Sequence, residues 1–205
     1  MDATAWDARY SGAEPVWSST PNVFVAELAG ALPPGRALDV AAGEGRNAVW
    51  LAERGWDVTM TDFSAVGVER ARTVARGRLG EGAEGFRAFV GDALESAPAP
   101  VDGGGYDLVV LAYLQLPEQR WRTALARAVD AAVPGGTVVV VCHAERNLTE
   151  GVGGPQDAAV LHDPEAVVAS AHGLPVDVVS ADLRERVVEA ADRPALDTVV
   201  VLERH

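Results

Sequence analysis

Residues 39–47 read Asp-Val-Ala-Ala-Gly-Glu-Gly-Arg-Asn and predict the turn on which the fold of this chain depends. A short strand precedes the turn at residues 36–41, and a helix follows it from about Gly45 to Arg54. Gly43 and Gly45 let the backbone bend tightly and approach a ligand, and the first N–H groups of the helix can bind a negative or polar group. The turn therefore predicts a ligand site, although a tight turn without a ligand fits the same residues.

Strands and helices alternate on both sides of this turn. Strands are predicted at residues 36–41, 57–61, 86–90, 106–112, 137–142, 175–182 and 196–203, helices at 21–31, 45–54, 64–78, 117–132 and from 163, and loops at 77–85, 97–105 and 146–161. This alternation predicts an α/β fold with a doubly wound, mostly parallel sheet of seven strands. Because no long helix separates the last two strands, we expect them to form an antiparallel pair at one edge.

Polar residues follow the strands at the edge where ligands of such sheets bind. Asp62 ends the second strand about 20 positions after the glycine turn, where a carboxylate can bind both hydroxyls of a ribose. It could instead cap the next helix, but Ser64 can also do so. Asp92 follows the third strand and could accept a hydrogen bond from the amine of an adenine, or it could simply hold a turn. Together these positions predict a ligand that contains a nucleoside.

The composition excludes several classes of protein. The 205 residues carry a net charge of −13, and all 17 basic residues are arginine. The absence of lysine excludes Schiff-base and P-loop chemistry, and the negative charge disfavours nucleic-acid partners. No run of about 18 apolar residues occurs, so no membrane span is expected. The single cysteine, Cys142, and a start that does not resemble a signal peptide favour the cytoplasm.

Taken in order, the turn and strand-end motifs resemble the motif series of class I S-adenosylmethionine-dependent methyltransferases. The series covers residues 36–143 and consists of residues 39–47, Thr61-Asp62-Phe63-Ser64, Gly91-Asp92-Ala93, Tyr106-Asp107-Leu108-Val109-Val110 and Pro134-Gly135-Gly136. The Gly-Glu-Gly-Arg-Asn form is similar to the small bacterial branch that includes tellurite-resistance and thiol methyltransferases. The resemblance implies one Rossmann-like domain over residues 1–205, with a helical N-terminal cap at 1–35, a cofactor-binding core at 36–145 and a C-terminal part with the closing strands at 146–205.

The resemblance also implies S-adenosylmethionine as cofactor and S-adenosylhomocysteine as product. Gly43 and Gly45 would line the methionine portion, Asp62 would bind the ribose, and Asp92 with Ala93 would bind the adenine. One departure is that an alanine stands at position 41, where the family usually has glycine. The residues predicted to bind the cofactor are Asp39, Ala41, Gly43, Gly45, Arg46, Asn47, Asp62, Phe63, Asp92, Ala93, Leu111 and Trp17.

The acceptor side of the site offers fewer signals. Methyl transfer from a sulfonium mainly requires a positioned nucleophile, and a base helps only when the acceptor is protonated at neutral pH. His143 directly follows the fifth strand and is the predicted base, although a strand-end histidine with a local hydrogen bond explains its position at least as well. Tyr113, beyond the fourth strand, is the second catalytic candidate. The Gly-rich loop at residues 151–156 could close as a lid or be a plain surface loop. We predict a small-molecule acceptor, no nucleic-acid or membrane partner and no metal site; the oligomeric state is not predicted.

Two other functions fit part of the pattern. With Ala48, the turn also matches the G-x-G-x-x-A form of a dinucleotide fingerprint, which would make the protein an NAD(P)-binding oxidoreductase. The lack of lysine and the short chain, which leaves no room for a substrate domain, argue against this function. The other alternative is a methyltransferase-like fold that binds a ligand or a protein without catalysis. Motifs at several strand ends favour an intact donor site over such a scaffold.

Overall fold

Seven strands form one mixed sheet in the computed structural model, which describes residues 2–12, 16, 19–95, 97–100 and 102–205. The strands are β1 (Arg36–Val40), β2 (Asp57–Asp62), β3 (Phe86–Val90), β4 (Tyr106–Ala112), β5 (Ala132–His143), β6 (Val176–Arg186) and β7 (Ala195–Arg204). Their order is β3-β2-β1-β4-β5-β7-β6. Neighbours from β3 to β5 pair in parallel, whereas β7 pairs antiparallel with both β5 and β6. The predicted fold, including the antiparallel closing pair, is confirmed.

Helices cover both faces of this sheet. They are α1 (Ala3–Tyr10), α2 (Val23–Gly30), α3 (Arg46–Glu53), α4 (Ala65–Leu79), α5 (Glu118–Ala131), α6 (Asn147–Glu150) and α7 (Pro164–Ala171). Side chains alternate along each strand, so Ala37 packs with α2, α3 and α4 on one face while Leu38 packs with α5 and α7 on the other. This alternation divides the apolar interior into two cores, one on each side of the sheet.

Three local predictions need correction. The segment predicted as a glycine-rich loop, residues 77–85, is the end of α4 followed by a 3₁₀-helix at Gly80–Gly85. β5 begins at Ala132, not at residue 137, because Ala132 already pairs with Tyr106; an irregular stretch of β5 that contains Pro134-Gly135-Gly136 then separates this pair from the next one, Thr137 with Leu108. The segment at residues 146–161 is not wholly irregular, since it contains α6 and a 3₁₀-helix at Ala158–Val160.

The start of α4 shows how the chain reaches the active edge. The Ser64 hydroxyl accepts a hydrogen bond from the Gly67 N–H at 3.0 Å, which confirms Ser64 as the predicted N-cap. Asp7 of α1 binds both the hydroxyl of Ser64 and the N–H of Val66, and so ties the N-terminal helix to this end of α4. The carboxyl ends of β1, β2, β4 and β5 therefore lie at one edge of the sheet. The N-terminal segment and the first residues of β7 lie at the same edge.

Within the described part of the chain, no helix has both the length and the apolar character that a membrane span requires.

Candidate active site

The glycine turn is held in place by the carboxylate of Asp62. Its Oδ2 atom accepts the N–H of Gly43 at 2.8 Å, and its Oδ1 atom accepts the N–H of Ser64 at 2.9 Å. Burial raises the pKa of Asp62, and these two backbone N–H groups act against that rise. Ser64 caps α4, yet Asp62 is not left free as the sequence suggested: it joins the turn after β1 to the start of α4. Each oxygen keeps one lone pair for a further donor.

The turn contains a strained alanine. Ala41 has φ of +55°, in the same left-handed region as Gly43 at +59° and Gly45 at +77°. Left-handed backbone costs an alanine about 1–2 kcal/mol, which explains why the family usually has glycine here. Such strain is often concentrated at ligand-binding turns.

Asp39 lies beneath this turn as a buried carboxylate without a partner. Its side chain is 1% exposed, and neither oxygen forms a hydrogen bond of ordinary geometry with any described residue. Burial raises the pKa of Asp39 to about 7, while the backbone N–H of Ala48 and the charge of nearby Arg46 act in the opposite direction. A buried carboxylate of this kind is complementary to a cationic group of a ligand.

Arg46 and Asn47 connect the start of α3 with the acceptor side. The Oδ1 atom of buried Asn47 accepts the backbone N–H of Asn22 at 2.8 Å, so it anchors the N-terminal segment. The guanidinium carbon of Arg46 lies 5.7 Å from the centre of the Tyr113 ring. Desolvation lowers the pKa of Arg46, and the charge of Asp39 counters this effect.

The other residues predicted to bind the cofactor differ in how much of each is accessible at the edge of the sheet. Asp92 accepts the Leu94 N–H at 3.0 Å, as a turn aspartate does, and with Ala93 it borders a cavity of about 120 Å³. Phe63 is half-buried just beyond β2. Leu111 is fully buried against α5, so only its main chain faces the edge. Trp17 lies outside the described residues.

On the acceptor side, both predicted catalytic residues bind one aspartate. His143 Nδ1 lies 3.0 Å from Asp197 Oδ1, and the Tyr113 hydroxyl donates to Asp197 Oδ2 at 2.7 Å. Arg186 Nε donates to the same Oδ2 atom at 2.7 Å, and the Asn22 side-chain amide donates to the Tyr113 hydroxyl at 2.9 Å. The Tyr113 and His143 rings are 4.6 Å apart, centre to centre. The structure therefore brings these two candidates together.

Asp197 is the central residue that sequence reasoning missed. It is fully buried, and it is the one charged residue in the stretch Ala-Leu-Asp-Thr-Val-Val-Val-Leu at residues 195–202. A lone carboxylate in an otherwise apolar buried strand is the signal that could have found it. Nothing in the local sequence identifies Arg186, because the register of β6 against β7 brings it to Asp197.

The charges in this cluster favour different protonation states for Asp197 and Tyr113. Burial alone would raise the pKa of Asp197, but hydrogen bonds from His143, Arg186 and Tyr113 bring it below its usual range. Burial and the negative charge of Asp197 raise the pKa of the Tyr113 hydroxyl. Tyr113 therefore keeps its proton at neutral pH and acts as a donor.

The loop at residues 151–156 packs against His143. The Asn147 side-chain amide donates to the Gly153 carbonyl at 2.9 Å, and its Oδ1 atom accepts the Leu196 N–H at 2.7 Å. Gly154 has φ of +74°, and a Cβ atom there would lie 3.1 Å from the His143 ring. Asn147 thus anchors the loop where it covers the imidazole.

The comparison with protein families decides the class of this fold. Residues 37–136 match the family model of a methyltransferase domain. These residues form a methyltransferase domain, and the match supports a class I S-adenosylmethionine-dependent enzyme. The predicted recognition, enzyme class and cofactor are confirmed, and the methyltransferase match takes the place of the dinucleotide alternative.

Solved structures of other proteins share this fold. One was solved in work on the conversion of a disulfide bond into a thioacetal group during echinomycin biosynthesis; it shares 21% identity at a TM-score of 0.74, over 98% of this chain and 91% of that one. Magnesium protoporphyrin IX methyltransferase from Synechocystis PCC 6803, with bound S-adenosylhomocysteine, shares 17% identity at a TM-score of 0.69, and the match covers 98% of this chain and 94% of that one. TehB from Haemophilus influenzae shares 15% identity at a TM-score of 0.67, and the match covers 99% of this chain and 67% of that one. No curated protein sequence matches the chain.

Metal ligands are not grouped in the described part of this methyltransferase: no three His, Cys, Asp or Glu side chains lie together as a metal ion would require. Cys142 is buried in the core on the α5 side of the sheet.

Proposed function

We propose that this methyltransferase transfers the methyl group of S-adenosylmethionine to a heteroatom of a small molecule. The observation that carries the proposal is the partnerless buried carboxylate of Asp39 beneath the glycine turn. S-adenosylmethionine has three groups that carry donor hydrogens: an ammonium, a ribose diol and an adenine amine. The edge presents three carboxylates, Asp39, Asp62 and Asp92, at the ends of three adjacent strands.

The residues present fit this donor. Asp39, beneath the start of α3, would hold the methionine portion; Asp62 would hold the ribose, and Asp92 with Ala93 the adenine. When bound, the cofactor supplies an activated methyl group on a sulfonium. Gly43 and Gly45 keep the turn close enough for its backbone to contact the ligand.

His143 is the proposed base on the acceptor side. Its side chain is 12% exposed at the edge, and Nε2 has no hydrogen-bond partner among the described residues. Tyr113 does not compete for this role, because its raised pKa keeps the hydroxyl protonated. The neighbouring guanidinium of Arg46 favours an acceptor that becomes negative as it loses its proton.

The arrangement of the chain supports further proposals. Residues 1–35 would form a cap, with Asn22 contacting both Asn47 and Tyr113. Residues 36–145 would bind the cofactor, and residues 146–205 would complete the acceptor side through Asp197. A small-molecule acceptor and a cytoplasmic location complete the proposal. The single cysteine supports the cytoplasmic location.

Calorimetric titration with S-adenosylhomocysteine tests the donor site, with NAD and NADP as comparison ligands. We expect micromolar binding of S-adenosylhomocysteine and none of the nicotinamide nucleotides. Asp62→Ala should weaken binding by about 1.5–3 kcal/mol, the cost of losing a charge-assisted hydrogen-bond acceptor. Asp57→Asn is the matched control, because Asp57 begins the same strand at the opposite edge and pairs with Arg87. Binding of NAD or NADP instead would make the protein a reductase, and an unchanged affinity in Asp62→Ala would remove the ribose assignment.

His143→Gln should lower kcat by about 100-fold for acceptors that are protonated at neutral pH, because general-base catalysis contributes at least this much. The affinity for S-adenosylhomocysteine should not change. Turnover of a panel of small phenols, alcohols, amines and thiols by the wild type and the variant gives the comparison. Equal turnover of every active acceptor by the two proteins would eliminate His143 as the base.

A further inference from the structure

We infer that Asp197 is a positioning residue that holds His143 in a single tautomer, with the proton on Nδ1 and with Nε2 free to take a proton from the acceptor. The inference rests on the proposed role of His143 as the base. It adds a residue from the last strand to the machinery of methyl transfer, and it predicts an acceptor that must lose a proton.

The position of Asp197 follows from strand register. In the antiparallel pairing of β5 with β7, Asp197 lies directly opposite His143. Directly opposed residues on antiparallel strands project their side chains to the same face, about 5 Å apart. A carboxylate at this one position of β7 therefore meets the imidazole, and the observed distance of 3.0 Å between Nδ1 and Oδ1 is a hydrogen bond.

The ionised state of Asp197 determines which ring nitrogen carries the proton. An ionised carboxylate can only accept hydrogen bonds, so each group that faces it must donate. The Tyr113 hydroxyl and Arg186 Nε both donate to Oδ2, which leaves Oδ1 for His143. Nδ1 must then carry a hydrogen, and in a neutral imidazole Nε2 is the unprotonated acceptor.

Neighbouring groups crowd the imidazole. The centre of the Tyr113 ring lies 4.6 Å from the centre of the imidazole, and a Cβ atom at Gly154 would lie only 3.1 Å from the ring. Arg186, whose guanidinium carbon is 5.7 Å from the Tyr113 ring, and Tyr113 itself hold the other oxygen of Asp197. Tyr113 and Arg186, neither of which is the proposed base, thus hold the carboxylate in place.

The cost of burying Asp197 indicates what kind of acceptor the site serves. A fully buried carboxylate is unfavourable unless several donors compensate it, and three side chains do so here. Orienting a base in this way is useful only when a proton must be removed during methylation. The site therefore fits a phenol, alcohol or amine hydrogen better than an acceptor that is already an anion.

Nitrogen-15 NMR of the histidine side chains in the full-length protein tests this inference directly. Long-range ¹H–¹⁵N spectra at alkaline pH report which ring nitrogen is protonated in neutral histidine, and a spectrum of His143→Gln assigns His143 among the four histidines. We expect wild-type His143 to carry its proton on Nδ1. A wild-type His143 protonated on Nε2 would overturn the inference, and this readout needs neither an acceptor nor a variant that alters Asp197.

Variants then separate positioning from general structural support. Asp197→Asn should shift the population toward the Nε2-protonated tautomer and lower kcat about as much as His143→Gln, with little change in S-adenosylhomocysteine affinity. Tyr113→Phe, which leaves Asp197 and its bond to His143, should keep the Nδ1-protonated form, and exposed Asp177→Asn is the surface control. An Asp197→Asn protein that keeps the wild-type tautomer and kcat would refute the role of Asp197. The proposed methyl transfer would stand in that case, because S-adenosylhomocysteine binding tests it separately.

Discussion

Replacing Asp39 with asparagine should remove a pH-dependent loss of stability that amounts to about 4 kcal/mol at neutral pH and above. The folded-state pKa of this carboxyl is about 7, against an ordinary value of 3.8. Below the lower value the group is neutral in both the folded and the unfolded chain, and burial costs nothing through ionisation. As the pH rises toward 7, the unfolded chain ionises first, so the folded state loses about 1.4 kcal/mol per pH unit relative to it. Asparagine has nearly the same shape and cannot ionise.

Urea unfolding of the ligand-free wild type and Asp39→Asn between pH 5 and pH 8 measures this effect. The difference in unfolding free energy between variant and wild type should change by about 3 kcal/mol over that range, in favour of the variant at high pH. Comparing two proteins at each pH cancels the titration of the other acidic groups. A difference that stays constant with pH would mean that burial does not raise the pKa of Asp39 in the folded protein. The same substitution should weaken S-adenosylhomocysteine binding if Asp39 holds the methionine portion.

Gly45→Ala should destabilise the protein by about 3 kcal/mol. The backbone at this position has φ of +77°, which costs an alanine about 1–2 kcal/mol. An added Cβ would also lie 2.8 Å from the Cβ of Ala71 and 3.1 Å from the Sδ of Met60. Ala71 belongs to the buried face of α4 and Met60 to β2, so neither can move without opening the core, and overpacking adds about 1–3 kcal/mol.

Thermal and urea unfolding check this prediction against Gly77→Ala. Gly77 is exposed within α4, and an added Cβ there meets no atom within 4 Å. Its replacement should stabilise the helix by about 0.5–1 kcal/mol, so the two variants are expected to change stability in opposite directions. A loss below about 1 kcal/mol in Gly45→Ala would show that α4 can shift away from the turn, and the close packing of turn and helix would then not be a constraint.

The sequence signals for the proposed donor side of the site are local. Asp39, the glycines of the turn and Asp62 lie at the ends of two strands that follow each other along the chain, and the alternation of strand and helix fixes their common edge. The bond from Asp62 to Gly43 spans 19 residues and joins neighbouring strands. What the sequence did not reveal is that Asp62 also joins the turn to the start of α4.

The same local signals misplace some details. Glycines in residues 77–85 predicted a loop, but helical turns persist there because their N–H groups still find carbonyls three or four residues back. Leu111 is predicted to bind the cofactor, and strand alternation turns its side chain into the core against α5, which leaves only its main chain for that role. A position near a strand end thus does not by itself establish which way a side chain points.

Sequence alone determined the doubly wound sheet, its active edge and the family resemblance, because hydrophobic periodicity and glycine turns act over a few residues. Only the tertiary structure decided the acceptor side. Tyr113, His143 and Arg186 reach Asp197 across sequence separations of 84, 54 and 11 residues, and the antiparallel register of β7 between β5 and β6 brings them together. Register depends on the pairing of whole strands, and a shift by one residue would turn Asp197 to the other face of the sheet.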